Sequence, residues 1–311
     1  MYNNRIRMCS GTQENFKGRL KVAILKTENL TYVYGAGTPF EKIAVDDVSL
    51  EIEKGTITGV IGHTGSGKST LIQHFNGLLK PTSGKIFFDG KDIWENKKVM
   101  TGIRFKIGLV FQYPEYQIFE ETVYKDIAFG PKNMKLSEDE IKERVHTTAQ
   151  LLKISPEMLK SSPFDLSGGQ KRRVAIAGVM AMRPEILVLD EPAAGLDPAG
   201  RNDIFELIRS YNEQTGCTVI IVSHSMEDMA KYAEKIIVMN QAKLYCHDKT
   251  ENVFSYSDEI MKMGLDVPQI TKVFNSLEKE GICFDKNIYT VSYAKKKILE
   301  YLEKKGGDRI C

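Results

Sequence analysis

Gly62-His63-Thr64-Gly65-Ser66-Gly67-Lys68-Ser69-Thr70 decides the fold. It follows the apolar run Ile57 to Ile61 and precedes Leu71 and Ile72. The stretch matches G-x-x-x-x-G-K-[ST], and a strand before it with a helix after it is the context that pattern requires. Glycines let the backbone fold tightly, so successive N–H groups point inward as an anion nest. The helix that follows adds unpaired N–H groups and the positive end of its dipole. Lys68 is placed to reach the β- and γ-phosphates of a nucleotide. The Ser69 hydroxyl suits Mg2+, a hard cation that prefers oxygen. All nine residues from Gly62 to Thr70 are therefore candidate nucleotide contacts. His63 fills an x position and needs no catalytic role.

Reading outward, residues Leu30 to Ile52 alternate apolar and polar, which predicts antiparallel strands with one wet face. Ser69 to Leu79 reads as a helix, with Leu71, Ile72, Phe75, Leu78 and Leu79 on one buried face. Strand signals follow at 85–88. Residues 116–165 lack them; Ser137-Glu-Asp-Glu140 reads as a capping box before a helical run through Leu152. Strands return at 186–189, 218–222 and 236–239 with helices between, which predicts a parallel α/β sheet. In the last 45 residues, Ile270, Val273, Phe274 and Leu277 predict an amphipathic helix. Tyr289 and Val291 suggest a short strand, and Ile298, Leu299 and Leu302 a closing helix. The expected layout is an N-terminal extension (1–24), one main domain (25–265) with a helical subdomain at about 113–167, and a small α+β appendix (266–311).

Composition narrows the class. The 311 residues are 42% apolar and 27% charged with net charge +2, which is ordinary for a globular protein and gives no global case for nucleic acid. No stretch approaches the roughly 18 apolar residues of a membrane span, so any membrane role is expected to be peripheral. The five cysteines are scattered without CxxC spacing, as expected of thiols in a reducing compartment. Residues 1–20 have no apolar core of a signal peptide.

Two further motifs carry chemistry. Ile186-Leu-Val-Leu189 ends in Asp190-Glu191, which a buried strand delivers to the carboxyl edge of the sheet, where open α/β folds bind ligands. Successive strand residues point opposite ways, so the two acids have different tasks. Asp190 is expected at Mg2+, and Glu191 at the attacking water. Leu166-Ser167-Gly168-Gly169-Gln170 precedes a helical run; Ser167 can cap that helix while the glycines expose its amides, making a second anion site.

With this signature the chain resembles the ABC-transporter ATPases, a P-loop NTPase fold with a RecA-like core, an antiparallel β subdomain and a helical signature subdomain. The resemblance covers about residues 27–245. It implies ATP and Mg2+ as ligands. It also implies roles for Tyr34 as the aromatic on adenine (Tyr32 being the competing candidate), for Gln112 as the Mg2+-sensing Q-loop glutamine, for Asp197 in the D-loop and for His224 as the switch histidine at the γ-phosphate. In that family ATP lies between the phosphate loop of one subunit and the signature of another, so a second copy or a paralogue is implied. Lys68 and Leu166 are separated by 97 residues, too few for the long coiled coil of repair-type members, and only one cassette is present, unlike translation types.

Other stretches resemble the energy-coupling-factor (ECF) transporter ATPases: Gly37-Thr-Pro-Phe-Glu41, Ile72 to Pro81, Pro114 to Glu120, Asp126 to Pro131, Arg172 to Gly178 and Gly264 to Gln269. The first leans toward the second of two paralogous ATPase subunits. The resemblance implies a sister ATPase, a transmembrane coupling protein and a substrate-binding membrane protein, with vitamins or metal ions as cargo. It places the chain at the cytoplasmic side of the cell membrane, with the appendix as a dimer contact and Tyr116 to Glu121 near the site that docks the coupling helix. Ala193 and Ser225 depart from the family pattern, where Thr and Asn or Asp are common.

Overall fold

The computed structural model describes residues 22–282, 284–285 and 287–307. Among the described residues, ten strands form two sheets. In the first, β1 (Ala23–Tyr34) pairs antiparallel with β2 (Lys42–Glu53) on one side and with β4 (Ser83–Phe88) on the other, and β5 (Lys91–Asp92) closes the edge. The second has the order β10-β9-β3-β8-β7-β6. It comprises β3 (Ile57–Ile61), β6 (Ile107–Val110), β7 (Ile186–Asp190), β8 (Thr218–Val222), β9 (Lys235–Asn240) and β10 (Lys243–Lys249). All its observed pairs are parallel except β10 with β9.

The parallel strands are apolar on both faces because both are covered. Alternation divides each between two cores. Leu187, Leu189, Val219 and Ile221 face one cluster. It is shared with α3 (Val123–Asn133), α4 (Glu138–Leu151), α5 (Pro156–Lys160), α6 (Gly168–Met180), α7 (Pro198–Thr215), α8 (Met226–Tyr232), α9 (Thr250–Ser255) and α10 (Ser257–Lys262). Ile186, Val188, Ile220 and Val222 face the other, against the first sheet, α1 (Lys68–Phe75) and α2 (Lys97–Lys106). The appendix, α11 (Gln269–Lys279) and α12 (Val291–Gly307), has its own small core of Phe274, Ile288 and Ala294.

Several expectations are corrected. Strand β1 begins at Ala23 and buries Ile24, so the domain starts two residues before the expected boundary. The remainder of the N-terminal extension lies outside the described residues, as do Cys9, Cys283 and Cys311. Helix α1 ends at Phe75, short of Leu79. Gly77 is left-handed there (φ 67°), which terminates the helix and leaves Leu78 exposed. Ser137 Oγ caps α4 by accepting the Glu140 N–H, but the Glu140 carboxylate pairs with Arg144 at 2.7 Å, so only half the capping box forms. No strand forms at 289–291. Thr290 Oγ1 accepts the Tyr293 N–H and starts α12 at Val291, which makes the described appendix helical instead of α+β. Two isolated apolar residues with no partner strand among the described residues could not hold an extended conformation.

Candidate active site

The phosphate loop joins the carboxyl end of β3 to the amino end of α1. Gly67, the N-cap of α1, is left-handed (φ 99°), and a Cβ there would stand 2.2 Å from the Ala44 carbonyl oxygen. Glycine is required at that point by both backbone angle and space. Lys68 begins α1 with its side chain buried, and its Nζ donates to Gly62 O (2.6 Å) and His63 O (3.0 Å). Burial pulls this ammonium below its ordinary value, opposed by the charges of Glu191 and Asp190.

Strand β7 brings the two acids. Asp190 shares the parity of Ile186 and Val188, the face turned toward α1. There it is buried, with the Ser69 side chain near enough to favour its ionised form. Burial raises its carboxyl above the usual range, while Ser69, Lys68 and His224 oppose the rise. Glu191 lies just beyond the strand at φ 50°, an uncommon angle for a residue with a side chain. Two backbone bonds hold it: its N–H donates to Val222 O (3.0 Å), and its carbonyl accepts the Ala194 N–H (3.1 Å). The Glu191 carboxyl is pushed up to about 7, first by burial and next by the charge of Asp190. Its Oε1 is 3.4 Å from His224 Nε2, close but without hydrogen-bond alignment. Burial, then Lys68, holds the His224 imidazole below its ordinary value.

These groups surround one cavity of about 320 Å3. Of the candidate residues, Tyr34, Thr64, Gly65, Gly67, Lys68, Ser69, Thr70, Gln112, Asp190, Glu191 and His224 line it. Gly62, His63 and Ser66 lie behind its wall. The His63 ring sits 3.1 Å from both Thr64 O and Asn240 Oδ1. Between the two aromatics, Tyr34 lines the cavity, is 41% exposed and reaches Thr70 Oγ1 at 3.4 Å. Tyr32 instead packs edge-on between Tyr34 and His74 against the core. The sequence reading missed Lys42, Ala44 and Val222, which also line the cavity. Lys42 is the cross-strand partner of Tyr34, a relation that only the hairpin register reveals.

Ser167, Gly168, Gly169 and Gln170 are not part of this cavity. They open α6 with a complete capping box: Ser167 Oγ accepts the Gln170 N–H (3.4 Å), and Gln170 Oε1 accepts the Ser167 N–H (2.9 Å). Asp197 is also outside, capping α7 by accepting the Gly200 N–H at 3.0 Å.

Comparison with known proteins gives the family. Residues 45–194 match the family model described as ABC transporter. The energy-coupling factor transporter ATP-binding protein EcfA2 of Clostridium acetobutylicum is 54% identical over 280 residues, 90% of this chain and 98% of its own. The EcfA2 of Clostridium tetani is 53% identical over 282 residues, again 90% and 98%. Among solved structures, cbiO1 of Clostridium perfringens, part of the ABC transporter complex cbiONQ, superposes with TM-score 0.69 at 41% identity, covering 77% of this chain and 94% of that one. The cassette MJ0796, a dimer in a post-hydrolysis state bound to ADP and Pi, gives 0.65 at 29% identity, with 73% and 98% covered.

Proposed function

This chain belongs to the energy-coupling factor ATP-binding proteins of the ABC transporter family, and from that premise we propose that it binds and hydrolyses ATP against a second cassette to drive uptake through membrane subunits. The observation that carries this reading is the signature. A Cβ at Gly168 would meet nothing within 4 Å, and one at Gly169 only Leu196 at 4.0 Å. Neither has positive φ, so this chain's own fold requires glycine at neither place. Close approach of a group from outside explains both. The Ser167 hydroxyl oxygen accepts in the cap, which leaves its O–H to donate to a γ-phosphate held by the other cassette. That cassette is the sister ATPase subunit or a second copy.

Within one chain the roles divide by position. The loop amides, the α1 amino end and Lys68 hold the phosphates. The adenine stacks on Tyr34. Ser69, Asp190 and Gln112 would hold Mg2+; a buried carboxylate, a hydroxyl and an amide on one cavity wall are an oxygen set that fits a hard cation completed by phosphate and water. When bound, Mg2+ neutralises charge on the phosphate oxygens. Glu191 takes the proton of the attacking water, with a proton affinity near the working pH, where a general base is most effective. His224, neutral at pH 7, donates one N–H toward the γ-phosphate without adding charge. The choice of Tyr34 over Tyr32 for adenine has a direct check. Tyr34→Ala should weaken ATP binding by roughly tenfold, the loss of one base-stacking contact, with little effect on folding. Tyr32→Ala should do the reverse, lowering the unfolding temperature because its ring is packed. Equal effects on ATP affinity would sink the choice.

The membrane subunit docks beside β6. A groove of about 280 Å3 there is lined by Phe105, Phe119, Phe129 and Asp126 among others. Phe119 and Phe129 meet edge to face at 4.9 Å and both are exposed, as is Tyr116. Asp126 lines the groove and Glu120 stands beside it, whereas Glu121 is paired with Lys125, so the fitting partner is an apolar helix with basic flanks from a transmembrane coupling protein. Cargo recognition, for a vitamin or a metal ion, lies on another membrane protein, and α12 with exposed Ile298, Leu299 and Leu302 contacts the second ATPase. Among the described residues no helix is long and apolar enough to cross a membrane, so attachment to the cytoplasmic face is through these partners. Tagged chain recovered from solubilised membranes should carry an integral-membrane partner, and the complex in liposomes should couple ATP to uptake. A Phe119→Ala/Phe129→Ala variant should lose that partner by tenfold or more, on the order of two interface anchors, while still binding ATP. Wild type without any membrane partner would count against transport, and full recovery by the variant against this groove.

A further inference from the structure

One guanidinium joins three segments that nucleotide chemistry uses separately. Arg172 lies in the first half of α6, the helix opened by Ser167. Its Nε donates to Glu115 Oε2 at 3.1 Å and its Nη2 to Glu115 Oε1 at 2.7 Å. Its Nη1 donates to the Ala194 carbonyl. The side chains are only 3% and 15% exposed. Glu115 belongs to the tight turn Pro114–Gln117, just beyond Gln112. Ala194 closes the turn that holds Glu191, through its own N–H to the Glu191 carbonyl. Neither Arg172 nor Glu115 lines the nucleotide cavity, so this contact is not spent on binding ATP in its own chain.

The geometry is that of a rigid joint. A planar guanidinium meets a carboxylate with two parallel bonds, and its remaining arm then has a fixed direction. Here that arm ends on the Ala194 carbonyl. The axis of α6, the turn after Gln112 and the turn bearing Glu191 are thereby set relative to one another. The pair is buried, so separating it would strand an uncompensated charge, and the three segments move as a unit.

We propose that Arg172 is a positioning residue that couples the signature of a chain to its own Glu191 turn. When Ser167 and the amides of α6 dock on the nucleotide of the opposite cassette, Arg172 passes the displacement to Ala194, and so to Glu191, and to Glu115 beside Gln112. Each cassette's hydrolytic carboxylate is then set by whether its signature is engaged at the other site. The proposal rests on the two-cassette reading above.

The test uses the full chain in its assembled membrane complex. Arg172→Lys keeps the charge but loses the fork, and Glu115→Gln keeps the shape but loses the charge. Both should lower kcat, Arg172→Lys by roughly tenfold, inside the about 5–150-fold range of coupling between linked sites. The Hill coefficient for ATP should fall toward one. Nucleotide affinity without turnover should stay within about twofold of wild type, since neither Arg172 nor Glu115 lines the nucleotide cavity. Wild-type kcat and cooperativity in Arg172→Lys would overturn the coupling. So would losses in kcat that track equal losses in nucleotide affinity and unfolding temperature in both variants, the mark of a merely structural contact. A Glu191→Gln complex run in parallel separates the two ideas. If it fails to retain ATP, the reading of the site falls; if it retains ATP while Arg172→Lys turns over normally, the coupling alone falls.

Discussion

Glu191→Gln should lower ATP turnover by roughly three orders of magnitude and, at pH 8, raise the unfolding temperature of the nucleotide-free chain. The first effect is the loss of a positioned general base, worth about 10²–10⁴-fold. Gln keeps the shape and removes only proton affinity, so ATP should still bind and an ATP-bound pair of cassettes should accumulate. The second effect follows from the same carboxyl. Its proton affinity in the fold corresponds to about 7 against an ordinary value of 4.5, so the folded state holds this proton more tightly than the unfolded state does. Stability is then greatest below pH 4.5, declines as pH rises through the window from 4.5 to 7, and levels off above it. At about 1.4 kcal/mol per pH unit the ionised carboxyl weakens the folded chain by roughly 3 kcal/mol. Gln carries no such penalty. The variant should unfold several degrees higher at pH 8 and show no such advantage at pH 4.5. Wild-type kcat/KM should fall about tenfold per pH unit below 7, because the base must be deprotonated in the free enzyme. Thermal unfolding at two pH values and a pH-rate profile check both. A variant less stable at pH 8, or with unchanged turnover, contradicts the assignment.

The parts of the site that could be read from sequence are those where chemistry demands consecutive residues. A phosphate nest needs its glycines, Lys68 and Ser69 in one unbroken run, and a buried strand delivers Asp190 and Glu191 as neighbours. The helical signature was readable for the same reason. What escaped depends on register or on distant segments. Tyr32 and Tyr34 share one strand face by alternation, so periodicity cannot rank them; depth along β1 does, with His74 packed under Tyr32 and Thr70 beside Tyr34. Lys42 enters the cavity only because the hairpin pairs it with Tyr34. Arg172 and Glu115 meet across 57 positions, and their third partner is a backbone carbonyl, which leaves no residue type to recognise. Strands β6 and β10 were too short or too polar to register as strands. In the appendix the error had a local cause: Thr290 can cap a helix as readily as it can stand in a strand, and no partner strand exists among the described residues to decide otherwise.

Lys68→Ala should cost ATP affinity by roughly 30-fold to a few thousand-fold, the range for removing one partner of a buried charge pair at about 1.4 kcal/mol per decade. The size of the effect comes from what surrounds the ammonium. Two of its three protons are committed to Gly62 O and His63 O, and these anchor the charge beneath the loop. No carboxylate is hydrogen-bonded to it among the described residues, although Asp190 and Glu191 lie close enough to oppose the effect of burial on its proton affinity. Removing it leaves a cavity walled by two acids facing a polyphosphate. The loss should therefore be larger for ATP than for ADP, since the γ-phosphate brings the additional charge nearest those acids. Folding should respond differently. Burial already disfavours the charged Lys68, so the nucleotide-free variant should unfold close to the wild-type temperature. Ligand-induced stabilisation separates the two outcomes. At 100 times its dissociation constant, MgATP should stabilise wild type by about 2.7 kcal/mol, and the same concentration should stabilise Lys68→Ala by about 0.9 kcal/mol at most, falling to nearly nothing at the upper end of that range. An undiminished thermal shift in that variant would remove Lys68, and with it the phosphate loop, from the nucleotide site.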